Sequence, residues 1–126
     1  MNKTATTLEQ SSKLAEFLPI ESADQTWARI AIAGANLDVP EELQYRHNGD
    51  MPFQYYSGIG TPCWSLAALL DIINKDYYTT LFHDGVSWTI TITHHDDNKN
   101  RHSVWSAEPL DACYDMIIKL KAQNLI

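Results

Sequence analysis

The residues best suited to chemistry in this chain are histidines. His94-His95-Asp96-Asp97, with His102 downstream and His83 upstream, gathers imidazole and carboxylate groups, the ligand types that zinc accepts. A hairpin across His94–His102 would bring His94 or His95 opposite His102 and could centre a small metal-dependent enzyme. Strand geometry argues against it, because neighbouring residues point to opposite faces and His94 and His95 can share a site only across a bulge. The run reads instead as a polar turn with exposed strand ends, and no metal ligand is assigned. Asp96, Asn98 and Asn100 match the first ligands of a calcium loop. Arg101 then stands where the turn glycine belongs and Ala107 where the bidentate glutamate belongs, so that match fails.

Cys63 and Cys113 lack C-x-x-C spacing, and neither carries the local signature of an activated thiolate. Nothing in the sequence brings them to a histidine and an aspartate, and a disulfide between them has no support. They read as small buried hydrophobes. Gly58-Ile59-Gly60 lacks the third glycine of a phosphate-binding loop and follows no clear strand. No catalytic or cofactor-binding residue is assigned, and no cofactor is expected.

The elements that would position these groups are most legible from Thr61 onward. Leu66, Leu69, Leu70 and Ile73 recur at i, i+3, i+4 and i+7, one stripe of a helix. Ser65 is its expected N-cap, Thr61-Pro62 a competing start, and Asn74 its expected stop. Three β runs follow, at 77–83, 87–94 and 102–106. Trp88, Ile90 and Ile92 alternate with Thr89, Thr91 and Thr93, so one face is apolar and the other hydroxylated. Asp84-Gly85 supplies a tight hairpin and Asp96-Asp97-Asn98-Lys99-Asn100 a longer polar turn, which predicts an antiparallel meander. A closing helix begins at Pro109, with Asp111 near its start and Lys119 and Lys121 near its end. Its apolar face comprises Leu110, Cys113, Tyr114, Ile117, Ile118 and Leu120. The expected core is Leu66, Leu69, Leu70, Ile73, Trp88, Ile90, Ile117 and Leu120.

The N-terminal third predicts a short helix capped by Thr6 or Thr7, with Glu9 or Gln10 completing a capping box and Pro19 marking its end. Ser22-Ala23-Asp24-Gln25 offers a second cap ahead of Trp27 and Ile30. Residues 28–33 suit an extended run equally, and helix is the assignment. Residues 34–60 mix Gly, Pro, Asn and charged residues and read as a long irregular connection. Within it, Met51-Pro52-Phe53-Gln54-Tyr55-Tyr56 would either present a binding patch or, the favoured reading, cover one side of the small sheet.

At 126 residues the chain is long enough for one domain with its own core. The fold class is α+β: a small two-layer domain with an N-terminal helical segment (1–33), an irregular connection (34–60), and a helix, three-stranded meander and helix (61–126). No apolar segment approaches a membrane span and no leader-like stretch opens the chain, so a cytoplasmic protein without a membrane partner is expected.

Three groups of segments together resemble a family of short uncharacterised proteins carried by bacteriophages and related mobile elements of gut anaerobes. They are Thr7-Leu8-Glu9-Gln10-Ser11 with Leu18-Pro19-Ile20-Glu21-Ser22-Ala23-Asp24, then Pro62-Cys63-Trp64-Ser65-Leu66-Ala67-Ala68-Leu69-Leu70, and Pro109-Leu110-Asp111-Ala112-Cys113-Tyr114-Asp115-Met116-Ile117-Ile118-Lys119-Leu120. The resemblance implies a shared fold and a phage or prophage origin. It implies no activity, because its motifs are helix caps and helix faces.

The order helix, three antiparallel strands, helix is also that of the double-stranded RNA-binding domain. That module needs cations at its phosphate contacts. Here Lys and Arg number 9 against 16 Asp and Glu, for a net charge of -7, and Glu108, Asp111 and Asp115 crowd the start of the closing helix. Nucleic acid is therefore not expected as a partner. A non-catalytic accessory protein that binds protein is expected, with the small metal-dependent enzyme of the His94–His102 hairpin or a purely structural oligomer as the alternatives.

Overall fold

The computed structural model describes residues 4–28, 42–45 and 61–126, which form an α+β fold. The chain divides into two compact units, Thr7–Trp64 and, with Met1–Thr6, Ser65–Ile126.

The Thr7–Trp64 unit opens with helix α1, Leu8–Ala15, capped as its sequence dictates. The Thr7 hydroxyl accepts the Gln10 amide at 3.1 Å, and the Gln10 side chain accepts the Thr7 amide at 3.0 Å. Two amides that a helix start leaves unpaired are thus satisfied reciprocally. Pro19 precedes a single 3-10 turn, Ile20–Ser22.

Residues 29–33 lie outside the described residues, and where the expected second helix is described, Gln25–Ala28 is strand β1. It is the central strand of a three-stranded antiparallel sheet between β2, Glu42–Tyr45, and β3, Thr61–Cys63. The 3-10 turn takes up the chain at Ser22, and Thr26 and Trp27 suit a strand that bonds on both edges. β2 likewise corrects the irregular reading of 34–60 at those four positions. The rest of that stretch, Met51–Tyr56 included, lies outside the described residues, as does Ile30. Pro62 does not open a helix either. It sits in β3 opposite Thr26, an edge strand where a residue without an N–H is tolerated.

In the Ser65–Ile126 unit, α2 spans Leu66–Asn74, with the Ser65 hydroxyl accepting the Ala68 amide at 3.2 Å. Strands β4 (Tyr77–His83), β5 (Trp88–His94) and β6 (Arg101–Ser106) form the antiparallel meander in sequence order. Gly85 turns the first hairpin at φ +99, a conformation open to glycine at little cost. Asp84 holds that turn by accepting the Val86 and Ser87 amides, both at 2.8 Å. Those two donors, Ser87 first, hold its carboxyl below the ordinary carboxylate value.

Helix α3, Pro109–Ala122, and α2 pack together and onto the meander, giving two layers. Leu69, Ile73, Ile90, Ile117 and Leu120 are fully buried, as expected, joined by Ile92, Leu110 and Met116. Leu66, Leu70 and Trp88 are only half-buried, as are Tyr114 and Ile118 on α3. The buried stripe of α3 runs instead through Ala112, Cys113, Met116, Ile117 and Leu120. That rotation leaves Tyr114 and Ile118 at its margin.

Candidate functional site

The meander sorts the histidines by strand parity. His94 meets the inner face, its ring edge-on to Tyr77 with centroids 5.3 Å apart, whereas His95 lies against Tyr78 on the outer face at 4.4 Å. The two neighbours diverge as an unbulged strand requires. His102, paired with Ile92, shares the inner face with His94, and His83, paired with Trp88, stands at the opposite end of the sheet.

Each inner histidine has a ring nitrogen engaged in turn building. His94 Nδ1 accepts the Asp96 amide at 3.1 Å, and His83 Nδ1 accepts the Gly85 amide at 3.3 Å. His102 Nε2 lies 2.7 Å from Asn100 Oδ1. An amide oxygen only accepts, so this nitrogen donates. The Asn100 amide nitrogen in turn donates to Tyr77 Oη at 3.3 Å. Burial, then the positive charge of Lys119, lowers the His102 pKa below its ordinary 6.5, so its surroundings favour the neutral ring. The carboxylate of Asp97 is also engaged, accepting the Lys99 amide at 3.0 Å. Among the described residues no three His, Cys, Asp or Glu side chains converge on one point.

The cysteines are free thiols, both fully buried. Burial raises each pKa from the ordinary 9.0 to about 12, with the Asp24 carboxylate adding to the effect at Cys63. Such a rise lowers the thiolate fraction at pH 8 about a thousandfold. Iodoacetamide at pH 8 should therefore leave both residues unmodified in the native protein over a period that alkylates them fully in 6 M guanidinium chloride. Rapid native labelling of either, read by mass spectrometry, would restore the nucleophile reading.

The outer face of the meander is the feature that sequence reasoning missed. Register sets its nine residues in three rungs: Tyr78, Thr93 and Arg101, then Thr80, Thr91 and Ser103, then Phe82, Thr89 and Trp105. Three corners are aromatic and the fourth is Arg101. The centre is hydroxylated, and Thr91 and Ser103 bond each other at 2.9 Å. Tyr78, Phe82 and Trp105 are 68%, 60% and 72% exposed. None of the nine is acidic, although the chain carries 16 Asp and Glu. The signal was present in the parity of Tyr78, Thr80 and Phe82, but it became a patch only once the neighbouring strands were aligned.

Among the described residues no helix is long and apolar enough to cross a membrane. No family model matches the chain, and neither the curated proteins nor the solved structures yield a match.

Proposed function

We propose that this protein is non-catalytic and acts in the cytoplasm by binding protein through the outer face of the β4–β5–β6 sheet. In this reading it is an accessory protein of a phage or mobile element, and its partner is a host or phage protein. One observation carries the proposal: three large aromatic side chains lie majority-exposed on a single sheet face. Aromatic residues and arginine are enriched at protein interfaces, where acidic residues are depleted. A sheet also holds such rings in fixed positions, so little freedom is lost on docking. Nucleic acid fits the face poorly, since Arg101 is its one cation while the chain as a whole is anionic.

Photo-crosslinking in cells tests the reading. With p-benzoylphenylalanine replacing Phe82 or Trp105, irradiation should give discrete protein adducts, and with the same group at exposed Asp71 on α2 it should give none. Equal patterns at the three positions, or no adduct at 82 and 105, would overturn the proposal. So would a salt-sensitive complex with duplex or single-stranded nucleic acid in a mobility-shift titration.

A further inference from the structure

We infer that the partner seated on this outer face is a second copy of the same chain, packed sheet to sheet about a two-fold axis. The inference rests on the protein-binding reading above and names its partner. Two sheets stack at about 10 Å, and an isologous pair can place its axis along the strands or across them. Along the strands, β4 of one copy faces β6 of the other on the same rung, so Tyr78 meets Arg101 and Phe82 meets Trp105. Across them, the first rung faces the third, so Tyr78 meets Phe82 and Arg101 meets Trp105. Both arrangements give every aromatic corner an aromatic or cationic counterpart and give the one cation a ring to stack on, a favourable pairing. In both, the small Thr and Ser residues of the middle rung meet one another, leaving room for the corners to interlock.

Charge points the same way. A copy of this chain carries a net charge of -7, so two copies repel, and they repel least where the surface between them bears no acidic side chain. Among the described residues the nearby acidic groups, Asp84 at one end and Asp76, Asp96 and Asp97 at the other, sit in the turns rather than on the nine-residue face. His95 lies against Tyr78 at its margin, its backbone amide donating to the Asp76 carbonyl at 2.9 Å. Three exposed aromatic rings offer on the order of 400 Å², less than the roughly 800 Å² per partner of a standard interface. The dimer is accordingly a reversible one, read at tens to hundreds of micromolar.

Sedimentation equilibrium of the full chain from about 5 to 500 µM tests the inference. The weight-average mass should rise from the monomer value of 14.3 kDa toward twice that. Added salt should leave association unchanged or strengthen it, because screening relieves the net repulsion. The double substitution Phe82→Ser, Trp105→Ser should weaken association at least tenfold without altering the far-UV spectrum, and Arg101→Glu should weaken it as well. A monomer at 500 µM, or a dimer that persists in the double variant, overturns the inference. A monomer that still gives crosslinked adducts of other masses at 82 and 105 rejects the second copy and leaves the protein-binding function standing. Absence of both dimer and adducts rejects the two together.

Discussion

Leu69→Ala and Ile117→Ala should each lower the free energy of unfolding by roughly 2 to 5 kcal/mol, the usual cost of a buried large-to-small change. Both side chains have no exposed surface, and their helices pack on each other and on the meander. Truncation therefore leaves a cavity that two other elements must collapse to fill. The cost combines the lost transfer of three buried carbon atoms in each case with the incomplete relaxation around them. Phe82→Ser, on the outer face, should move the denaturation midpoint far less, since surface changes stay within about 0.5 kcal/mol. Urea denaturation followed by far-UV circular dichroism reads both. An unchanged midpoint in the two alanine variants would mean that the helix phases are wrong.

Trp64→Ala should cost about 3 to 5 kcal/mol in the Thr7–Trp64 unit. Trp64 is the largest of the fully buried side chains, and its indole nitrogen donates to Ser22 Oγ at 2.9 Å. The serine hydroxyl in turn donates a hydrogen bond to the Pro19 carbonyl at 2.6 Å. The indole thus fastens the 3-10 turn to the end of β3, two segments separated by about forty residues of chain. Trp64→Phe keeps most of the packing and removes the donor, so it should cost less, with roughly 1 kcal/mol attributable to the hydrogen bond. Amide exchange at Gln25–Ala28 and Thr61–Cys63 provides the local readout. Protection unchanged in Trp64→Ala would show that the sheet is held without this anchor.

The elements that could be read from sequence are those specified by neighbours in the chain. Ser65 caps α2 because a hydroxyl one residue outside a helix reaches an amide three residues on. Asp84-Gly85 closes a hairpin because its side-chain acceptor and its positive φ are local properties. The alternation from Trp88 to Thr93 states its own period, and the divergence of His94 from His95 follows from that period alone. The α+β class, the meander order and the start of α3 at Pro109 all rest on signals of this kind.

Tertiary structure decided what depends on partners distant in sequence. Gln25–Ala28 is four residues long, too short to display a period, and it becomes a strand because Glu42–Tyr45 and Thr61–Cys63 pair with its two edges. Pro62 satisfies the rules for a helix start and for an edge strand equally, and only the pairing with Thr26 distinguishes them. The outer face has the same origin. Thr89, Thr91 and Thr93 announce a hydroxylated surface, but Tyr78 and Phe82 belong to one neighbouring strand and Arg101 and Trp105 to the other. Periodicity assigns each of these side chains to a face of its own strand. Cross-strand register sets them side by side, because lateral position in a sheet is fixed by backbone hydrogen bonds between segments and not by the spacing within any one of them.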